Sequence, residues 1–179
     1  MVRVDDEAGA RATIDAIRRR HHDARHHCTA FVIGPDAMLQ RSNDDGEPAG
    51  TAGAPMLEVL VRRGVSDVVA VVTRWFGGTL LGAGGLVRAY GDAVGLALDE
   101  AGTRRRALRH LMRVEASPAD AGALDNRLRA LGEVTDVAYG GSVVFTVGVR
   151  DPDRFAAELA GISAGRATAE RFGSSWVDV

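Results

Sequence analysis

Three acidic side chains lie within four positions of one another in a glycine-rich segment of this chain. Asp44, Asp45 and Glu47 belong to the segment from residue 42 to residue 53. Carboxylates this close together could bind Mg²⁺ or share a proton. The same residues also suit a structural role, because the Asp-Asp-Gly sequence is typical of a turn. In that case Asp44 and Thr51 would cap a following helix.

A second glycine-rich segment, residues 74–90, carries Arg74 and Arg88. Its glycines include Gly77, Gly78, Gly82, Gly84 and Gly85. Glycines at the start of a helix let a phosphate approach free backbone N–H groups. A P-loop would need lysine here, and a dinucleotide-binding motif would need glycine where Val87 stands. Three interpretations stay open: a nucleotide site, a tight turn that packs a helix on a strand, and capture of an anion by Arg74 and Arg88.

Four of the five histidines cluster just before the first predicted strand. His22 and His26 have the i, i+4 spacing that could bind zinc on a helix, and His26 could activate Cys28 as a nucleophile. A strand that begins at Cys28 would break the helical spacing and would place the thiol in the core. We therefore favour neither arrangement, and the single cysteine excludes an internal disulfide.

The composition limits the classes of protein to which this chain can belong. All 22 basic residues are arginine, so lysine chemistry such as a Schiff base is excluded. The net charge of −2 is not that of a protein that binds nucleic acid through its bulk charge. No apolar run is long enough for a membrane span, and the acidic N-terminus lacks a signal sequence, so we expect a cytoplasmic protein. A local exception is a basic patch, formed by Arg104, Arg105, Arg106 and Arg109.

The pattern of apolar residues predicts two domains, residues 1–103 and residues 104–179. In the first we expect a helix over 7–22, a strand over 28–33, a helix from Pro55 to Gly64, a buried strand over 68–73 and a helix over 86–101. In the second we expect a strand over 108–116, a helix from Pro118, a hairpin of 134–139 and 143–149, a helix from Pro152 and a strand over 166–177. This β-α-β-β-α-β order is the ferredoxin-like arrangement.

Four motifs, in order along the chain, resemble those of the Impact family in its bacterial YigZ-type branch. They are His26-His27-Cys28-Thr29-Ala30, the segment Asp44–Gly53, Arg74-Trp75-Phe76-Gly77-Gly78, and the segment Leu81–Tyr90. The resemblance implies an α+β class, with a first domain like domain 2 of ribosomal protein S5. It implies a ferredoxin-like second domain similar to the C-terminal domains of a translocating elongation factor. It also implies a link to translation, and it brings no established enzyme activity and no cofactor.

The resemblance further implies that the family's motif residues form the binding site. They are His26, Asp44, Asp45, Glu47, Arg74, Gly77, Gly78, Gly84, Gly85, Arg88 and Tyr90. We expect a non-enzymatic, translation-linked regulator that binds RNA, the ribosome or a translation factor, with the basic patch of the second domain as a broader contact. The alternative is a hydrolase, dependent on a divalent metal or a nucleotide, that uses Asp44, Asp45, Glu47 and His26.

The start of the chain departs from the family pattern. Family members usually begin with one more strand before the first helix, whereas this chain begins nearly at that helix. We therefore expect the first sheet to lack an edge strand, unless the start is misassigned. An exposed edge invites pairing with another chain, so we also expect that the protein could form a homodimer there.

Overall fold

The computed structural model describes all 179 residues, which divide into two compact units, Met1–Thr103 and Arg104–Val179. Together the units contain five α-helices and two four-stranded sheets. Every neighbouring pair of strands is antiparallel. The protein is therefore of the α+β class, as the sequence predicts. None of the five helices has both the length and the apolar composition that a membrane crossing requires.

The first unit is a sheet with helices packed on both faces. Its strands are β1 (Val2–Arg3), β2 (His26–Ile33), β3 (Leu39–Asn43) and β4 (Val68–Arg74). Its helices are α1 (Glu7–Arg20), α2 (Gly53–Arg62) and α3 (Gly82–Ala101). A 3₁₀ turn spans Pro35–Ala37. The strands lie in the order β1-β4-β2-β3. The central position of β2 and β4 agrees with the buried strand that the sequence predicts at 68–73.

Strand β2 is buried along its whole length because both of its faces meet helices. On one face, Phe31 packs with Ala10 of α1. On the other face, Cys28 shares a core with Met56 of α2 and Tyr90 of α3. The sheet therefore places the start of β2 and the end of β4 between two apolar layers, where polar side chains need partners.

Several predicted boundaries in the first unit are wrong. Helix α1 ends at Arg20, before the predicted residue 22, and β2 begins at His26 rather than Cys28. Helix α2 begins at Gly53 rather than Pro55. The sequence does not predict β3, because this edge strand is polar and only its first side chain is even partly buried.

An edge strand is present beside β4, which corrects the expectation that the first sheet lacks one. Strand β1 pairs with β4 through Val2 opposite Val69 and Arg3 opposite Val68. Because β1 has only two residues, Ala70–Arg74 have no neighbouring strand on that side. A homodimer through this part of the edge stays a prediction.

The second unit has the predicted β-α-β-β-α-β order. Its elements are β5 (Arg106–Ala116), α4 (Pro118–Leu131), β6 (Glu133–Tyr139), β7 (Val143–Val149), α5 (Pro152–Ser163) and β8 (Thr168–Asp178). The strands lie in the order β6-β7-β5-β8. Val114 and Phe145 of the sheet pack with Leu128 of α4 and Leu159 of α5 in one core. Ser117 caps α4 through a hydrogen bond to a backbone N–H, as the sequence predicts.

Candidate functional site

A buried carboxylate, that of Glu47, joins the two glycine-rich segments. Its Oε1 accepts a hydrogen bond from a guanidinium nitrogen of Arg74 and another, of 2.7 Å, from the Tyr90 hydroxyl. The Nε2 of His26 lies 3.9 Å from the same oxygen. Only 4% of the Glu47 side chain and 21% of the Arg74 side chain are exposed. We call these four residues the Glu47 cluster.

The fold positions each member of the Glu47 cluster from a different element. Arg74 is the last residue of β4 and lies opposite His26, the first residue of β2, in their antiparallel register. Tyr90 belongs to the buried face of α3. Glu47 reaches them from the turn before α2, where its backbone N–H donates to the carbonyl of Asp44. The cluster therefore closes one end of the first sheet.

The electrostatics of the cluster keep Glu47 ionised. Burial opposes the charge and would raise the pKa of Glu47, but hydrogen bonds from Tyr90 and Arg74 and the nearby His26 outweigh it, so the pKa is lowered. The hydrogen bond to Glu47 in turn raises the pKa of Arg74. Burial raises the pKa of the Tyr90 hydroxyl, which stays protonated as a donor. Arg74 thus has a carboxylate partner within the protein.

Asp44 is the cap of α2. Its carboxylate accepts hydrogen bonds from the backbone N–H groups of Gly50, Ala52 and Gly53 at 2.9, 3.0 and 2.8 Å. Partial burial opposes the charge, but these three bonds prevail and the pKa of Asp44 is lowered. The predicted capping role of Asp44 is confirmed. The one predicted for Thr51 is wrong, because its hydroxyl donates to a carbonyl in the same turn.

Asp45 ties the acidic turn to the opposite face of the sheet. Its carboxylate accepts a hydrogen bond of 2.6 Å from the backbone N–H of His27 and one of 2.7 Å from Arg18 of α1. Its own backbone N–H donates to the side chain of Asn43. Asp45 has a φ of 46°, a left-handed conformation that aspartate tolerates in turns. The three acids of this segment therefore hold the fold with their carboxylates.

No group of three or more histidine, cysteine or acidic side chains is placed to hold a metal ion. His22 follows the end of α1 and His26 opens β2, so they do not share a helix. The thiol of Cys28 donates to the carbonyl of Asp44 at 2.9 Å. Burial raises the pKa of Cys28 to about 11, which disfavours the thiolate that a nucleophile needs.

The loop between β4 and α3, residues 75–81, faces outward and exposes large apolar side chains. Trp75 is 49% exposed, Phe76 is 44% exposed and Leu80 is 85% exposed. The guanidinium of Arg74 lies over the ring of Phe76, 5.8 Å from its centroid. Exposed apolar groups this close together are typical of a binding surface.

The glycines of the second segment fall into two groups. Gly78 and Gly82 have φ of 89° and 69°, a conformation that favours glycine. Gly77 and Gly84 do not have positive φ, and a Cβ added at either would meet no other atom within 4 Å. Neither backbone conformation nor packing within the chain requires glycine at these two positions.

The start of α3 presents free donors to solvent. No side chain caps this end of the helix, and its first turn carries no acidic residue. Arg88 is exposed one turn further along the helix and makes no ion pair. Gly85 is different from its neighbours, because an added Cβ would come within 3.0 Å of the Cβ of Leu81. Packing against Leu81 therefore explains why residue 85 is glycine, whereas Arg88 is available to an external anion.

The basic patch of the second unit is partly neutralised. Arg104 and Arg106 lie 3.9 and 3.7 Å from the carboxylate of Asp178. Arg109 donates to a neighbouring backbone carbonyl at 3.4 Å, and Arg105 is exposed. This patch belongs to the second unit, whereas the other site residues predicted from the sequence belong to the first.

The model of the Impact N-terminal domain family matches residues 1–98, which hold the Glu47 cluster and the glycine-rich loop. The chain belongs to the Impact family. It is 49% identical over 127 residues to the IMPACT family member YvyE of Bacillus subtilis, over 71% of this chain and 58% of that protein. It is 50% identical over 108 residues to the IMPACT family member YigZ of Escherichia coli, over 59% of this chain and 53% of that protein. The matched part thus spans a little over half the length of these curated relatives.

The similarity to one solved structure extends over both units of this chain. A crystal structure described only as that of a hypothetical protein superposes with a TM-score of 0.66 at 36% sequence identity. The match covers 96% of this chain and 85% of the other chain. The α+β architecture of both units therefore recurs in that solved structure.

One group of candidate residues is visible only in the structure of this Impact family member. Helix α1 ends with Arg18-Arg19-Arg20, and Arg25 follows in the turn before β2. Arg18 pairs with Asp45, but Arg19, Arg20 and Arg25 are exposed and make no ion pair. The run of arginines was the feature of the sequence that could have indicated a binding surface here. A helix C-terminus favours such residues in any case, so the run alone did not indicate a site.

Proposed function

We propose that this protein is a non-enzymatic regulator linked to translation, and that the loop between β4 and α3 binds RNA of a ribosome or translation-factor complex. Gly77 and Gly84 carry the proposal, because both leave open space in a segment that also exposes the rings of Trp75 and Phe76. Open backbone lets a phosphate approach, and aromatic rings stack on bases. Arg88 adds a cation that has no partner within the protein.

Membership of the Impact family supports the link to translation, which the sequence resemblance implies. A hydrolase that uses the acidic segment has less support. The carboxylates of Asp44, Asp45 and Glu47 already accept hydrogen bonds from the protein. A metal ion or a substrate at these oxygens would have to displace those donors.

The test is co-sedimentation of the full chain with ribosomes, using Gly84→Ala and the matched control Gly95→Ala. Both glycines lie in α3, and a Cβ at either meets no atom within 4 Å, so both variants should fold with equal or slightly higher stability. We expect wild type and Gly95→Ala to sediment with ribosomes, with loss of binding after nuclease treatment. Gly84→Ala should bind several-fold more weakly, because its methyl group fills the open space.

Two results would overturn the proposal. One is the absence of any wild-type sedimentation with ribosomes at low salt. The other is equal binding by the Gly84→Ala and Gly95→Ala proteins, which would remove the start of α3 from the contact.

A further inference from the structure

We propose that the RNA is single-stranded where it meets this protein, that a base stacks on Trp75, and that adjacent phosphates bind Arg19, Arg20 and Arg25. We call these three residues the α1-end arginines. This inference rests on the function proposed above and extends its binding surface from the glycine-rich loop to the end of α1.

Trp75 is exposed and yet held in a fixed position. Its indole Nε1 donates a hydrogen bond of 2.8 Å to Asp23, and its ring meets His21 edge-on at 5.6 Å with an interplanar angle of 87°. The hydrogen bond from Trp75 lowers the pKa of Asp23. Both contacts come from the turn after α1 and neither comes from the core. A ring oriented in this way, and still half exposed, is ready to stack on another flat group.

The α1-end arginines are close in the chain to the residues that contact Trp75 or its neighbour. Arg20 directly precedes His21, which touches the tryptophan ring. The backbone N–H of Arg25 donates to the carbonyl of Arg74, the residue before Trp75. Three exposed arginines without ion pairs therefore belong to the segments, residues 19–20 and 25, that adjoin the contacts of this oriented aromatic ring.

No acidic residue forms an ion pair with these cations. Asp23 is in the same turn, but its carboxylate accepts the hydrogen bond from Trp75. Asp15 lies four residues before Arg19 in α1 and makes no ion pair, and Asp45 pairs with Arg18. Like-charged groups repel one another unless an anion joins them. Guanidinium groups bind phosphate oxygens in a bidentate manner, so a chain of phosphates suits this surface.

An aromatic ring flanked by arginines is the arrangement that binds single-stranded nucleic acid. Bases of a duplex are stacked on each other and cannot stack on an exposed side chain. Unpaired bases can stack on aromatic rings, while a basic surface follows their phosphates. A flexible single strand could thus reach Trp75 with a base and Arg20 with a neighbouring phosphate.

Fluorescence anisotropy with a labelled single-stranded RNA of about 12 nucleotides tests the inference on the full chain. The variants are Trp75→Ala, the double variant Arg19→Gln/Arg20→Gln, and the control Arg62→Gln/Arg63→Gln. The control removes the same charge from the end of α2, where both arginines pair with acids. Arg19 and Arg20 have no partners in the fold, so a thermal unfolding curve should confirm that this variant remains folded.

We expect Trp75→Ala to weaken binding roughly 5- to 150-fold, the usual effect of removing one stacked base. The Arg19→Gln/Arg20→Gln variant loses two phosphate contacts, so the magnitude of its slope of log K against log salt should be smaller by about 1.4. The control should leave both affinity and slope close to wild type. A hairpin duplex of the same length should bind more weakly than the single strand.

Several outcomes would overturn this inference alone. They are wild-type sedimentation with ribosomes without affinity for the single strand, equal salt slopes for the two double variants, or preference for the duplex. Binding only to an acidic peptide would also overturn it. If the wild type does not sediment with ribosomes at all, the proposed function fails first, so the two failures can be told apart.

Discussion

Replacement of Arg74 by methionine should destabilise the first unit more than any exposed arginine replacement. Arg74 donates to a carboxylate that is almost fully buried, and only one other donor, Tyr90, serves the same oxygen. Methionine keeps most of the length and packing of the side chain but leaves Glu47 ionised without its counter-charge. The energetic effect therefore reports on the ion pair and not on a cavity.

The magnitude follows from the burial of the two partners. Removal of one partner from a buried ion pair typically costs about 3–5 kcal/mol, because the remaining charge cannot be rehydrated. Glu47 is 4% exposed and fits that case, whereas Arg74 at 21% is partly screened by water. We therefore expect Arg74→Met to lower the free energy of unfolding by about 3 kcal/mol near neutral pH.

The shift in the pKa of Glu47 determines how the stability deficit of the Arg74→Met variant changes with pH. In the wild type the pKa of Glu47 is lowered below its ordinary value, so its contribution is present above about 4.5 and is lost as the pH falls through the folded-state pKa. Without Arg74, burial is opposed only by Tyr90 and His26, so the pKa of Glu47 should rise above the unfolded value. The stability deficit of the variant should therefore be smallest at acid pH, below the ordinary pKa of about 4.5, and larger near neutral pH.

Urea denaturation measures this deficit, with Trp75 as the only tryptophan in a Trp176→Phe background. The fluorescence of Trp75 then reports the unfolding of the first unit alone, which matters because the two units need not unfold together. The double variant Arg74→Met/Glu47→Gln is the control, since it removes the charge that Arg74→Met leaves unpaired. It should recover much of the lost stability. A deficit below about 1 kcal/mol, or one that does not change with pH, would show that the Glu47 cluster is not a buried ion pair.

Two further predictions concern the acidic turn and the thiol. Asp44→Ala removes the acceptor of three backbone N–H groups, so it should lower the free energy of unfolding, measured by urea denaturation, by about 2 kcal/mol. The Asp44→Asn variant should have an intermediate stability. If both variants were as stable as the wild type, the capping role would be contradicted. Because the pKa of Asp44 is lowered, this contribution should fade only below about pH 4. Cys28, whose pKa is raised to about 11 by burial, should resist alkylation at pH 8 in the native protein and react once urea unfolds it. Rapid native labelling would mean that the thiol is accessible.

The sequence predicts those features of the fold that depend on local pattern. The run Val68–Thr73 indicates a buried strand because its residues are apolar and β-branched, and Asp44 indicates a cap because aspartate bonds to nearby N–H groups. Strand β3 was not predictable in this way. It lies at a sheet edge, where polar residues are tolerated and no alternation is needed.

The contacts of the candidate site could not be predicted from spacing. Glu47 meets Arg74 and Tyr90 across 27 and 43 residues of chain, and the register of β2 against β4 decides these contacts. The oriented ring of Trp75 depends likewise on Asp23, which lies 52 residues away. Charge and glycine content indicate where a site could lie. Only the tertiary structure separates side chains that hold the fold from those that face a partner.

The acidic and the glycine-rich segments then have connected roles. Arg74 ends β4 and Tyr90 lies in α3, so the oxygen of Glu47 ties together the two elements on either side of the glycine-rich loop. A buried carboxylate with two donors restrains both ends of the loop, while its middle stays exposed. Glu47 is therefore best understood as a positioning residue for the proposed RNA contact. This arrangement explains why a segment that carries three acids can belong to a surface proposed to bind an anion, since its carboxylates are engaged with donors of the protein.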